Sequence, residues 1–115
     1  MNYANPILIC DENEEFRILI RDMLTRNGFF HILEASDKCE AIEYLIENED
    51  FFVLVDAKLL GEELMHHLRK QKEFIIFANK AEANTATLAA KLGVERILSY
   101  PVHSRKLMEK LNTFF

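Results

Sequence analysis

Short, unbroken apolar runs alternate with amphipathic stretches along this whole chain, and nothing else restricts its fold so tightly. Ile7-Leu8-Ile9-Cys10, Phe51-Phe52-Val53-Leu54-Val55, Phe74-Ile75-Ile76-Phe77-Ala78 and the shorter Ile97-Leu98-Ser99 are strand-like runs, the first three apolar at every position. A strand that is apolar on both sides must be covered on both faces, as in a parallel sheet with helices above and below. A weaker strand is expected over Phe30 to Leu33.

The intervening stretches carry helical spacing. Phe16, Leu19, Ile20, Met23 and Leu24 form one stripe, with Arg17, Arg21 and Asp22 opposite, and Asn27-Gly28 closes that helix with a left-handed cap. Ser36-Asp37 opens a second helix with the stripe Ala41, Ile42, Leu45 and Ile46. A third runs from about Glu62 to Lys70, and an alanine-rich fourth (Ala81 to Ala90) ends at Leu92 with Gly93 as its cap. Leu107, Met108, Leu111 and Phe114 mark a fifth. Five βα units joined by right-handed crossovers predict a single doubly wound α/β domain over residues 1–115, with strand order 2-1-3-4-5.

In that order the first and third strands are neighbours, and ligands bind where their carboxyl ends part. Asp11-Glu12 follows the first strand and Asp56 the third. Carboxylates are costly at the mouth of a buried sheet without a partner, so three of them at one spot point to a ligand. The oxygen set suits magnesium, and Asp56 could act as a nucleophile toward phosphorus.

Composition narrows the function further. The 115 residues carry a net charge of −5 and no basic run, which argues against nucleic acid. No apolar stretch reaches membrane-spanning length, and Met1-Asn2-Tyr3-Ala4-Asn5 is not a signal peptide, so a cytoplasmic protein is expected. Cys10 and Cys39 read as small reduced core residues rather than a disulfide framework. His66 and His67 are adjacent on a helix and face different ways, and His31 and His103 lie near element ends, so no histidine metal site is expected. In Phe29-Phe30, Phe51-Phe52 and Phe114-Phe115, one ring in the core and one at its edge is the simplest reading, with Phe115 open to a dimer patch.

The acidic pair Asp11-Glu12, the strand-ending Asp56, the stretch Ala89-Ala90-Lys91-Leu92-Gly93 and Tyr100-Pro101 together resemble the receiver domain of bacterial response regulators. The resemblance covers essentially the whole chain and implies the flavodoxin/CheY-like (βα)5 fold. It implies that Asp56 accepts a phosphoryl group from a kinase histidine, in two-component phosphorelay signalling. It implies a Mg²⁺ site made by Asp11, Glu12, Asp56 and the backbone carbonyl of Lys58, and a cis bond before Pro101. The partners it implies are a sensor histidine kinase or phosphotransfer protein, and output is expected through a downstream protein on the face of helix four, strand five and helix five or on the helix-one face. With no output module after the fifth helix, the chain is expected to act as a monomer or weak homodimer and not as an enzyme.

The departures from the family's pattern are equally informative. The hydroxyl residue that ends strand four in receivers is Ala78 here, the lysine before the proline is Tyr100, and the aromatic switch position is Ile97. A phenol donates one hydrogen bond but carries no positive charge near neutral pH. The loop Ala57-Lys58-Leu59-Leu60-Gly61 is shorter than usual and lacks proline. Lys58 and Lys80 are candidate replacement cations. These losses predict impaired switching, with a phosphorylation-independent pseudo-receiver scaffold as the alternative. A Cys10 phosphocarrier is disfavoured because Asp11-Glu12-Asn13-Glu14-Glu15 would repel phosphate. An aspartate-based phosphatase would want an acid where Lys58 stands.

Overall fold

In the computed structural model, residues 5–48, 50–71, 73–79 and 82–114 are described. The elements follow as β1 (Ile7–Cys10), α1 (Glu14–Arg26), β2 (Ile32–Ala35), α2 (Lys38–Glu47), β3 (Phe52–Asp56), a 3-10 turn (Ala57–Leu59) and α3 (Glu62–Gln71). Then come β4 (Phe74–Ala78), α4 (Ala83–Leu92), a second 3-10 turn (Val94–Arg96), β5 (Ile97–Ser99) and α5 (Ser104–Asn112). All strand pairs are parallel and the order is β2-β1-β3-β4-β5, as the alternation predicts.

The unbroken apolar runs divide between two cores because successive side chains leave a strand on opposite faces. Leu8, Cys10, Val53, Val55 and Ile76 meet Ala41 and Leu45 of α2 and Leu64 and Leu68 of α3. Ile7, Ile9, Phe52, Leu54, Ile75 and Phe77 meet Ile20 and Leu24 of α1 and Leu107 and Leu111 of α5. Leu88, Ala89 and Leu92 of α4 lie against the first core.

Several sequence expectations need correction. β2 begins at Ile32, two residues later than expected. Gly28, at φ 92°, reverses the chain, and Phe29 N–H bonds back to Leu24 O at 3.0 Å. This tucks Phe29 inside and leaves Phe30 exposed, so pairing with β1 starts only beyond them. Leu19 and Ile46 are exposed, each one residue beyond a buried neighbour (Ile20, Leu45), which turns it about 100° away from the sheet. Phe51 and Phe52 are both buried. Phe51 packs edge-on to Tyr44 of α2 and Phe52 to Phe114 on the other face, and both faces are covered. Cys39 is exposed in the first turn of α2 rather than in a core. Lys80, Ala81 and Phe115 lie outside the described residues.

Candidate functional site

The register builds the site. Cys10 pairs with Val55, so Asp11 and Asp56 leave neighbouring strands side by side. Asp56 pairs with Phe77 and Ala78 with Ser99, and Tyr100 N–H extends that ladder by donating to Ala78 O at 3.1 Å. Asp11, Asp56, Ala78 and Tyr100 thus line the carboxyl edge of the sheet. A cleft of about 270 Å³ opens there, walled by Asp11, Glu12, Asn13, Phe16, Asp56, Lys58, Leu59 and Tyr100.

Asp11 is the one buried polar residue among those described, at 6 % exposure. Its Oδ1 accepts from Asn13 N–H at 2.8 Å, and Asn13 Oδ1 in turn accepts from Phe16 N–H at 3.0 Å, capping α1. Arg17 Nη1 donates to Asp11 O at 2.7 Å, while its Nε meets Glu34 Oε1 at 3.0 Å. Arg21 Nε takes the other oxygen of Glu34 at 2.8 Å. One glutamate on β2 therefore clamps two arginines of α1 and fixes the helix beside the acidic loop. Burial holds the Asp11 carboxyl above its ordinary range; the Asn13 amide opposes this, the neighbouring Asp56 adds to it, and Arg17 again opposes it.

Asp56 is half-buried at the end of β3. Its Oδ1 accepts from Lys58 N–H at 2.7 Å, and its Oδ2 accepts from the Tyr100 phenol. Burial, and then the bond to Asp56, push the Tyr100 hydroxyl well above the usual phenol range, so it stays a protonated donor. Its ring is held edge-on by Phe16, with centroids 5.3 Å apart, and lies 6.2 Å from Phe77. Phe16 and Phe77 are themselves edge-on at 5.4 Å. A second cavity of about 80 Å³ adjoins, between Asp56, Ala78, Asn79, Glu82 and Tyr100. Ala78 contributes no hydroxyl to it, and Glu82 contributes a carboxylate.

The structure brings Asp11 and Asp56 together as the strand ends require, but Glu12 stays exposed on the rim. Among the described residues no three acidic, histidine or cysteine side chains cluster as a metal-binding group. The Asp11 and Asp56 carboxylates are instead turned onto N–H and O–H donors. The expected ammonium contact from Lys58 is not made: the backbone N–H reaches Asp56, and the side chain is exposed. Ile97 is buried in the first core, and the bond before Pro101 is cis. Cys10 is fully buried, and burial followed by the charges of Asp11 and Glu40 pushes its thiol far up, which leaves it no thiolate for a phosphocarrier. Sequence reasoning missed Phe16, Arg17, Glu34 and Glu82. A signal for the clamp was present, since Glu34 is the charged residue in a strand that is otherwise apolar.

Comparison with known proteins agrees with this geometry. A family model described as the response regulator receiver domain matches residues 7–112. The chain is 30 % identical over 114 residues to a chemotaxis protein CheY homolog of Campylobacter jejuni, covering 91 % of this chain and 88 % of that one. It superposes on a receiver domain protein of Clostridium thermocellum with a TM-score of 0.76 at 26 % identity, covering 96 % and 93 % of the two chains. CheY6 of R. sphaeroides, solved in complex with the P1 domain of CheA3, shares the fold at a TM-score of 0.74 and 18 % identity, covering 95 % of each chain. With the five-stranded order, the paired aspartates at the switch point and a match across nearly all its length, the chain belongs to the response-regulator receiver domain family of two-component signal transduction.

Proposed function

We propose that Asp56 is the phosphoacceptor of this receiver and that its signal leaves through contacts with another protein, with switching weakened by Ala78, Ile97 and Tyr100. The observation that carries this reading is the Asp56 carboxylate at the end of β3, beside Asp11 and facing an open cleft. The donor is a sensor histidine kinase or phosphotransfer protein, a reading supported by the CheY-fold relative solved with a CheA3 P1 domain. The downstream partner would bind either the face of α4, β5 and α5 or the outer face of α1, and the chain would work as a monomer or weak homodimer without catalysing a reaction of its own. Among the described residues no helix is long and apolar enough to cross a membrane.

The donor set fits Mg²⁺. Asp11 and Asp56 are hard oxygen ligands placed so closely that Asp56 raises the cost of charging Asp11, and a hard dication would relieve that. Asp11, Asp56 and the Lys58 carbonyl would hold the ion, with Glu12 at the rim. Bound there, it would neutralise charge on the transferring phosphoryl group. The chain's own residues do the rest. Asn13 and Arg17 fix the Asp11 loop, the Lys58 amide orients the Asp56 carboxylate, and Tyr100 offers a side-chain donor near the phosphoryl position. Glu82 and Ala78 offer no counter-charge on the far side.

A second reading, the constitutive pseudo-receiver, draws on the phenol that already engages Asp56 Oδ2. Incubation with Mg²⁺ and acetyl phosphate, read by intact mass, separates the two. The phosphoacceptor reading expects a hydroxylamine-labile gain of one phosphoryl group that is absent in Asp56→Asn. Wild-type protein that never gains mass would leave the pseudo-receiver reading.

A further inference from the structure

We infer that Tyr100 couples Asp56 directly to helix α1, so that a change at Asp56 is relayed through the Tyr100–Phe16 ring contact to α1 rather than through β5 to α4. The inference rests on Asp56 being the input group. Tyr100 directly follows β5, and its hydroxyl and its ring serve different neighbours. The hydroxyl donates to Asp56 Oδ2. The ring stands at 68° to Phe16, with centroids 5.3 Å apart, and Phe16 lies in the first turn of α1. Phe77 closes the group from β4 at 5.4 Å from Phe16. Edge-to-face rings in such a wedge cannot shift singly without losing contact, so the phenol and the first turn of α1 move together.

The route toward α4 is poorly equipped by comparison. Ala78 has no side-chain polar atom to follow the charge at Asp56. Ile97 is buried in the first core and carries no polar group to reach the cleft. Space for movement lies beside Tyr100, in the cavity of about 80 Å³ next to Ala78. When Asp56 takes a phosphoryl group from a phosphohistidine, an O–P bond forms as the P–N bond breaks. The imidazole leaves with the electron pair and is protonated from solvent. The Asp56 carboxylate then becomes a mixed anhydride, a weaker acceptor than the anion it replaces, and the negative charge moves out onto phosphoryl oxygens. The phenol follows that charge into the cavity, and Phe16 moves with the ring, carrying the first turn of α1. What α1 then presents includes Ile18 and Leu19, 54 % and 46 % exposed on its outer side.

A double-mutant cycle read by NMR tests the relay without any phosphoryl donor. Backbone amide and Phe16 ring signals are compared among wild type, Asp56→Ala, Tyr100→Phe and the double variant, with Asp56→Asn as a milder alternative should the alanine variant fold poorly. The relay expects Asp56→Ala to shift the Phe16 ring and the amides of residues 16–20 in the wild-type background. It expects that shift to be lost in the Tyr100→Phe background, while Leu88 to Leu92 stay in place throughout. Equal α1 shifts in both backgrounds, or shifts confined to α4 and β5, would overturn it. Adding Mg²⁺ and beryllofluoride to wild type then tests the phosphoacceptor reading separately. Silence there with the cycle intact removes that reading and keeps the relay, whereas a null cycle removes the relay whatever beryllofluoride does.

Discussion

Replacing Glu34 by methionine removes both acceptors of the α1–β2 clamp while keeping the side chain's length. The cost follows from how deeply each partner is buried. The Arg17 side chain is 13 % exposed and that of Glu34 26 %, while that of Arg21 is 41 % exposed. A fully exposed pair would be worth about 0–1 kcal/mol, and breaking a fully buried one would cost about 3–5 kcal/mol. Arg21 rehydrates when released, so its share lies near the lower figure. Arg17 keeps only its bond to Asp11 O and is left as a poorly solvated cation, so its share lies between the two. We expect Glu34→Met to cost about 2 kcal/mol, Arg17→Met nearly as much, and Arg21→Met less than about 1 kcal/mol. Urea unfolding should show the first two as a midpoint lower by roughly 1–2 M with an unchanged slope. The double variant Arg17→Met/Glu34→Met should fall well short of the sum. A loss below about 0.5 kcal/mol for Glu34→Met, or a larger effect at Arg21 than at Arg17, would refute the clamp as the anchor of α1.

Three further outcomes are expected. Burial raises the Asp11 carboxyl in the folded chain above its ordinary 3.8. The folded state therefore holds a proton that the unfolded chain releases, and stability falls as pH rises from 3.8 through the folded value. Asp11→Asn should accordingly melt higher than wild type at neutral pH. That advantage should fade below about pH 4, and an unchanged pH profile would contradict it. Gly93 sits at φ 96°, where an added Cβ would lie 2.4 Å from a Glu95 carboxylate oxygen. Gly93→Ala should cost about 1–2 kcal/mol, visible as a melting point lower by roughly 5 °C, and an unchanged melting point would count against the strain. Restoring both polar groups with Ala78→Thr and Tyr100→Lys should extend a beryllofluoride response to the amides of α4. A double variant that binds beryllofluoride yet leaves α4 silent would show that other residues impair the switching.

The fold was legible because β1, β3 and β4 are apolar at every position before their ends, a pattern that two-sided burial alone demands. The expected start of β2 falls two residues early because Gly28 and Phe29 turn back onto α1, and its later end depends on Glu34, a charged residue that belongs in a strand only once Arg17 and Arg21 arrive from α1. The exposure of Leu19 and Ile46 escaped the helical pattern, since an apolar side chain at a stripe's margin has no sequence mark telling whether the sheet reaches it. At the site, Asp11 and Asp56 were legible as strand-terminal acids, and Ala78 and Tyr100 as departures. The sequence suggested a lysine ammonium over the pocket, whereas Lys58 gives only its amide and the donor comes from Tyr100, forty-four positions away. The predicted order already sets β3, β4 and β5 side by side; residue spacing does not encode that the Tyr100 hydroxyl turns onto Asp56 Oδ2. Phe16 went unnoticed for the same reason, because its helical spacing reads as core until Tyr100 is placed against it.

Fluorine NMR of beryllofluoride with the Mg²⁺-loaded protein, with Asp56→Asn as control, is the most direct test of Asp56 as the phosphoacceptor. Bound fluorine signals that saturate at one group per chain and vanish in Asp56→Asn are the expected result. Free beryllofluoride signals alone, with Mg²⁺ present and the protein folded, would contradict it.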